Sequence, residues 1–578
     1  MIDSKAHYEM QESLLSKDTD SADGSEQGDY GDKTWGQSYL SRKRMTGLIL
    51  GGVFFLVFLI VFNNVSDNPK YAEVNETLAV LFWMVIWWLF EVVDVAATAL
   101  LPLILFPTLG ILNSKVVASK YMSDLGTLFI AAFCLSASMK AVNLHKRFAL
   151  ATLKVFGTKP IGILCGFGIP AFLLSLFMSN TGTTALLIPI ADGVIDSTLS
   201  SMQSDRLKNV VSHFSKGLTL VIGYSATIGG SGTIIATAPN TVITEFVKLD
   251  YDYTITFGEW SGAFIGMGIL MLGLNIFVIY RRYVKKEMSE VDFNMQVVND
   301  EYERLGKMTK DEYYVAICFA IAMINVVVVA QVVTPLYGEC VSCNEKKMMQ
   351  LFNSTDVSNC AKQTDSGSCS AALGKWKNYI ATGSFFLMGA MPLFIIPSKS
   401  RPGKPVLEWK KAIEEIPWDL ILLIGGGVAV AEAFKVTNTS DYIAGFLGPL
   451  AGLPPFFAVL VIVGSVSFLT EITSNTATTT ILVPILFELA NQNKKHPLLY
   501  GLPVCLGANL AFMLPIATGP NAIMYGTKKF KGFFGFAATG FIINICGIAC
   551  STLAMFTTCN AIFGLTKNYA DIPDQWKR

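Results

Sequence analysis

The chain has 578 residues, of which 52% are hydrophobic and 15% charged, and its mean hydropathy is +0.48. Soluble domains carry about 25% charged residues, so this composition excludes a water-soluble globule and points to a bilayer. Lysine plus arginine equal aspartate plus glutamate, 44 against 44, which leaves no basic excess for a nucleic-acid partner.

Residues 1–44 open with a polar, acidic stretch (DSADGSEQGDYGDK) and are expected to form a disordered cytoplasmic tail with no cleavable signal peptide. Apolar runs then recur at 46–62, 78–93, 128–139, 160–178, 257–280, 312–334, 379–397, 454–469 and 533–558. A span needs about 20 residues to cross a core of about 30 Å; several runs are shorter or cut by Gly and Pro, and their spacing predicts roughly ten to twelve crossings. Arg42, Lys43 and Arg44 precede the first run, which places the N-terminus in the cytosol. The clusters Arg281-Arg282-Lys285-Lys286, Lys399-Arg401-Lys404-Lys410-Lys411 and Lys528-Lys529-Lys531 are expected on the same side.

The run 312–334 then exits and places 335–376 outside. That loop holds Cys340, Cys343, Cys360 and Cys369 and the glycan acceptor Asn353 in Asn353-Ser354-Thr355. Disulfides and glycans both belong to the oxidising side, so the cysteines are candidate disulfides, with three pairings open. A zinc site is the rival, and no histidine lies in the loop to support it. Further acceptor sequences at Asn64, Asn75 and Asn438 also fall on the expected outer side.

The main signal is a phrase that occurs twice. Residues 179–190 read SNTGTTALLIPI and residues 474–485 read SNTATTTILVPI. Downstream, Ile235–Asn240 and Ile516–Asn521 share I-A-T-x-P-N. Upstream, LFIAAFCLSASMKAVNLHKR (128–147) matches LILLIGGGVAVAEAFKVTNT (420–439) at nearly the same offset. The arm His145-Lys146-Arg147-Lys154 after the first upstream block reads as cytoplasmic. Its counterpart carries the Asn438 sequon and lacks basic residues, so it reads as external. Matched elements of opposite orientation are the mark of inverted-topology repeats.

Polar residues within apolar runs are costly unless they line a cavity or bind something. Each SNT, set beside Gly, Thr and Pro, favours a re-entrant or broken helix, whose fresh N-terminus favours an anion and whose freed carbonyls favour a cation. Asn, Ser and Thr can serve both. The structural alternative is Ser and Thr bonded to their own helix backbone, but a matched pair favours binding. No Lys or Arg lies in either SNT block or in 513–524, so bound cations and helix dipoles are left to balance an anionic substrate. Glu471 is read as a structural acid bonded to the hairpin backbone, with a proton site as the alternative. Only four histidines occur (His7, His145, His213, His496), scattered and without metal or triad spacing, so the chain does not read as an enzyme. No charged ring or filter sequence supports a channel.

With these motifs the chain resembles the divalent-anion–sodium symporter family, whose members carry dicarboxylates, citrate or, in one branch, sulfate. The resemblance runs from about residue 78 to 558 and includes TALLPLILFPTLGIL (98–112), NLHKRFAL (143–150), both SNT phrases, PWDLILLIGGG (417–427) and MLPIATGPNAI (513–523). It implies an all-α polytopic membrane protein of about eleven transmembrane helices, with two re-entrant hairpins in inverted-topology repeats. It also implies a homodimer with elevator-type alternating access. Carried onto this chain, one Na+ site uses Ser175, Ser179, Asn180 and backbone near Gly229 and Gly230; a second uses Thr470, Thr473, Asn475 and Ala517. The substrate would meet Ser179, Asn180, Thr181, Ser474, Asn475, Thr476, Thr518 and Gly519. The family usually has Pro-Pro after the threonine at 518, whereas this chain has Gly519-Pro520. Ala131 and Ala132 stand where glycines are common, and Asp94 occupies a usually apolar place.

The organisation that follows starts with the tail at 1–44 and a first transmembrane helix with its outer loop at 45–77. A first repeat at 78–280 precedes a cytoplasmic linker, a transmembrane helix and the external Cys-containing loop at 281–376. A second repeat at 377–560 and a short extracellular C-terminus at 561–578 complete it. The expected function is sodium-coupled symport of di- or tricarboxylates, succinate-like or citrate, across the plasma membrane. A sulfate symporter or a sodium-independent dicarboxylate exchanger is the alternative.

Overall fold

The structure is a computed structural model and describes residues 42–62, 69–90, 92–122, 124–325, 382–439, 442, 452–530, 532–567, 572–573 and 576. Among them the regular elements are all helices, apart from an isolated bridge between Pro397 and Pro405. Cys340, Cys343, Asn353, Cys360, Cys369, residues 1–41 of the expected tail and Asn64 lie outside the described residues, while Arg42–Arg44, expected to end the tail, begin a helix.

The principal helices are α1 (Arg42–Val57), α2 (Pro69–Phe90), α3 (Asp124–Ala141), α4 (Leu144–Val155), α5 (Pro160–Ser175), α6 (Asn180–Ser200), α7 (Asp205–Gly230), α8 (Ala238–Tyr251) and α9 (Phe257–Tyr283). They continue with α10 (Lys310–Ile324), α11 (Thr382–Ala390), α12 (Trp409–Glu415), α13 (Trp418–Thr437), α14 (Pro455–Leu469) and α15 (Asn475–Gln492). The chain closes with α16 (Pro497–Ala508), α17 (Gly519–Gly526), α18 (Phe533–Phe556) and α19 (Thr558–Phe563). Their starts follow local chemistry. Proline sits in the first turn of α5, α8, α14, α16 and α17, where its missing N–H costs nothing. Thr256 with Glu259 and Thr309 with Glu312 form capping boxes at α9 and α10.

Four helices among the described residues are individually long and apolar enough to span a membrane: Ala72–Phe90, Phe257–Tyr283, Trp418–Thr437 and Phe534–Phe563. A fifth candidate is α3 with α4, bent by 67° where Asn143 takes a left-handed φ of 59°. The other apolar stretches, α5, α14 and α16 among them, end short at polar turns. Large apolar side chains such as Ile104, Ile269, Phe277, Ile317 and Leu553 are exposed, as a lipid-facing surface requires.

Ion pairs and hydrogen bonds gather the arm at 145–147, the segment 287–312 and the turn at 398–400 on one face. Lys146 pairs with Glu301 at 2.6 Å and Arg147 with Glu312 at 2.7 Å, and Arg206 reaches Glu287 at 3.0 Å. The buried Asp311 accepts from the Ser398 hydroxyl at 2.6 Å and from the Lys399 and Ser400 N–H groups at 2.8 and 3.0 Å. The first hairpin, α5–α6, starts and ends on this face. Thr158 O accepts from Phe293 N at 3.2 Å just before α5, and the Thr198 hydroxyl accepts from Asn294 N at 3.0 Å near the end of α6. The second hairpin, α14–α15, belongs to the other face. Phe456 at its start lies 5.6 Å from Phe556 at the far end of α18, and Asn491 at its finish bonds Tyr251 at the end of α8. Asn438 is exposed, but Asn75 is buried within α2, which leaves no room for a glycan there.

Candidate functional site

Each SNT phrase is a helix start. Ser179 caps α6 by accepting from Gly182 N at 3.1 Å, and Ser474 caps α15 by accepting from Ala477 N at 3.4 Å. One turn on, the Thr184 hydroxyl returns to Asn180 O at 2.8 Å and the Thr479 hydroxyl to Asn475 O at 2.9 Å. The helix beginning at each phrase therefore aims its unsatisfied N–H groups at the polar tip.

The A-T-x-P-N segments are built on a second shared plan. Helix α7 stops at Gly230 and α8 restarts after Thr237; α16 stops at Ala508 and α17 restarts after Thr518. Asn240 Nδ2 donates to Gly230 O at 2.9 Å and Thr233 O at 2.7 Å. Asn521 Nδ2 donates to Ala511 O at 3.0 Å and Leu514 O at 2.9 Å. Both asparagines are fully buried and hold the carbonyls of the unwound loop. The sequence displayed the twin asparagines without revealing that they are clamps rather than ligands. A cross-bond ties the halves together: Asn509 Nδ2 donates to Asn240 Oδ1 at 2.7 Å, while the Thr237 hydroxyl donates to Asn509 Oδ1 at 3.1 Å.

The residues expected to hold the first cation come together. A Cβ built on Gly230 would lie 2.6 Å from Asn180 Nδ2, and Gly229 rests against the Phe172 carbonyl. Ser175 Oγ and Asn180 Oδ1 are buried and have no hydrogen-bond partner, as is Thr183 Oγ1. Buried oxygens without donors suit a hard cation, which would supply the missing partner. The second set is closed on itself. The Thr470 hydroxyl donates to Asn475 Oδ1 at 2.6 Å, and the Thr473 hydroxyl meets that of Thr478 at 2.7 Å. Ala517 lies in the turn before Thr518, its N–H on Leu514 O at 3.1 Å.

Of the expected substrate residues, Thr181 and Gly519 meet directly. They come from different halves, and a Cβ at Gly519 would run into the Thr181 hydroxyl. Both are exposed, Ser179, Asn180, Ser474, Asn475 and Thr518 are half-buried, and Thr476 is buried. Among the described residues no hydrogen bond joins the two SNT phrases directly.

Glu471 is a buried acid bonded to backbone, but to the loop at 512–514 and not, as expected, to the backbone of its own hairpin. Its carboxylate accepts from Phe512, Met513 and Leu514 N–H at 2.8, 2.9 and 2.8 Å and from Asn544 Nδ2 at 2.8 Å. It thereby pins the loop between α16 and α17. Sequence reasoning missed one group: Lys140, in the last turn of α3, pairs with Glu415 and lies 3.7 Å from where a Cβ on Gly182 would stand. The SNT blocks lack basic residues, but the fold brings a cation to the first tip. The only sequence signal was a lysine ending an apolar block just before NLHKR.

Short helices that break at matched polar tips inside an apolar body define a multi-pass membrane transporter. The chain belongs to the sodium:sulfate symporter family, whose transmembrane region matches residues 52–564, and sodium is the co-transported ion of that family. It is 32% identical over 527 residues to the sodium-dependent dicarboxylate transporter SdcS of Staphylococcus saprophyticus, covering 90% of this chain and 92% of that one. It is 30% identical over 533 residues to SdcS of Staphylococcus aureus strain USA300, covering 91% and 94%. The crystal structure of the YdaH transporter of Alcanivorax borkumensis is a looser likeness, with a TM-score of 0.47 and 12% identity over 78% of this chain and 88% of that one.

Proposed function

We propose that the protein is a secondary active symporter that carries a di- or tricarboxylate, succinate-like or citrate, together with Na+ across the plasma membrane. The observation that carries this reading is the pair of polar helix starts in an apolar body, one of which leaves Ser175 Oγ and Asn180 Oδ1 buried without donors. Sodium enters at Ser175, Ser179, Asn180, Gly229 and Gly230, and at Thr470, Thr473, Asn475 and Ala517. The substrate carboxylates lie between the two tips, on Ser179, Asn180, Thr181, Ser474, Asn475, Thr476, Thr518 and Gly519. Sodium coupling has a physical motive: a dianion entering a negative cell works against about 2.3 kcal/mol per charge per 100 mV.

In this reading the hairpins α5–α6 and α14–α15 are re-entrant from opposite faces and belong to inverted repeats at 78–280 and 377–560. The shared anchoring of the first hairpin's ends on Phe293 and Asn294 supports it, as does the opposite placement of Phe456 and Asn491. About eleven crossings, a cytoplasmic N-terminus, an extracellular C-terminus, elevator-type movement and a homodimer complete it. The SdcS relatives are described as sodium-dependent dicarboxylate transporters, which favours carboxylate over sulfate.

The test is uptake of labelled succinate, citrate and sulfate by cells or proteoliposomes with sodium outside or with choline in its place. Succinate uptake collapses in choline under this reading. Sodium-independent uptake makes the protein an exchanger, and sulfate uptake alone makes it a sulfate carrier.

A further inference from the structure

At the opposite end of α9 from its basic residues, about 40 Å away for a helix of that length, lies a cavity of about 250 Å3. His496, Asn560, Lys567, Tyr253 and Trp576 are among its lining. His496 caps α16: its Nδ1 accepts the Leu498 N–H at 3.2 Å, so the proton of the neutral ring sits on Nε2. That Nε2–H is buried and has no acceptor, and the residue is only 1% exposed. Burial, aided by the nearby Lys567 charge, pushes the imidazole down to about 4, so it is neutral at physiological pH. A buried donor left without an acceptor is costly enough that such sites usually hold a ligand or water.

Two further donors border the same space. Lys567 is exposed, with its stem folded over Gly564. Asn560 Oδ1 is taken by the Thr566 N–H and hydroxyl at 2.9 and 3.0 Å, which leaves its amide N–H groups to donate. The described lining includes no carboxylate. Glu259, reached through the Tyr253 hydroxyl, is already engaged by the Thr256 N–H and hydroxyl. The remaining walls are apolar and aromatic: Ile562, Phe563, Ile572, Pro573 and the Trp576 indole, whose ring lies 4.6 Å from His496 and 4.8 Å from Tyr253.

We propose that this cavity binds a small organic carboxylate, its oxygens on His496 Nε2–H, Lys567 and Asn560 and its carbon body against Trp576, at a site separate from the one between the SNT tips. Three donors match the two oxygens of a carboxylate, and the aromatic wall favours an organic anion over a bare halide.

The experiment uses the full-length protein in detergent, free of sodium, in choline methanesulfonate. Choline succinate, butyrate or chloride is titrated while tryptophan fluorescence is followed, with Trp576→Phe to isolate the reporter. Saturable quenching by succinate or butyrate is expected. It should be lost in His496→Phe, weakened at least fivefold in the surface variant Lys567→Gln, and kept in Asn180→Ala. The absence of a saturable change, or its persistence in both His496→Phe and Lys567→Gln, overturns the site. Loss in Asn180→Ala assigns the signal to the transport site, and an equal response to chloride overturns the organic-carboxylate assignment.

Discussion

The two halves of the site share a backbone plan and differ in how the plan is finished. In the first, Ser175 Oγ and Asn180 Oδ1 are buried and unpaired; in the second, the matching Thr470 and Asn475 bond each other at 2.6 Å. At the position of Leu176 the second half has Glu471, whose carboxylate gathers three loop N–H groups, while the first half ties its loop by the Thr233 hydroxyl on Leu176 O. Exposure differs too: Ile235 is 7% exposed and its partner in the repeat, Ile516, is 81% exposed. The first half thus holds buried, unpaired oxygens, and the second is a carboxylate-braced loop facing open space. In the proposed reading a cation entering the second set displaces a hydrogen bond of about 1 kcal/mol net, which the first set does not require.

The largest expected effect is on the asparagines that touch both ion and substrate in this reading. Asn180→Ala and Asn475→Ala should each lower succinate uptake by a factor on the order of 100 or more, with surface expression retained, because an interaction of about 3 kcal/mol is removed. Near-normal uptake by either variant would remove that tip from the site. Next comes Glu471→Leu, which strands three N–H groups and the Asn544 amide. Leaving buried donors unsatisfied costs about 1–3 kcal/mol each, so a sharp fall in thermal unfolding midpoint is expected. Glu471→Gln should fall less and leave the pH profile of uptake unchanged. A flattened profile in a well-folded Glu471→Gln protein would make Glu471 a proton carrier and the halves more different still.

The third test weighs the two oxygen sets against each other. Ser175→Ala should raise the sodium concentration for half-maximal uptake about tenfold, equivalent to about 1.4 kcal/mol. Thr470→Val should raise it less, because its hydroxyl is already spent on Asn475 and its loss also frees that oxygen. Equal shifts in the two variants would erase the distinction between an unpaired and a paired oxygen set.

Much of this comparison was legible in the residues. Both SNT phrases are helix starts, as the small polar residues beside Pro and Gly suggested, and the basic arm at 145–147 meets the same segment, 301–312, as Lys399. Which oxygen is paired was not legible, because Ser175 and Thr470 are chemically alike and only geometry separates them. Asn240 and Asn521 advertised themselves as a pair, yet a clamp and a ligand use the same amide. Lys140 was hidden because nearness to Gly182 is a property of the fold. The number of crossings was obscured for a related reason: polar tips cut the apolar runs into helices too short to count as spans.

The smallest effect concerns the place where the halves touch. The first half has Ala238 at the position of Gly519, so the backbone there tolerates a side chain in principle; what forbids one is the neighbour. Gly519→Ala sets a methyl against the Thr181 hydroxyl, which must turn away, and Thr181 borders the proposed substrate position. An overpacked contact costs about 1–3 kcal/mol when it cannot relax. Thr181 is exposed and can move, so the low end applies, and succinate KM should rise about fivefold with the sodium dependence unchanged. Trimming the neighbour supplies the control: in Gly519→Ala with Thr181→Ala, KM should rise no further than in Thr181→Ala alone, because the clash is gone. A strictly additive double variant would show that Gly519 acts through the flexibility of the 513–519 loop and not through Thr181, and the contact between the halves would lose its role in substrate preference.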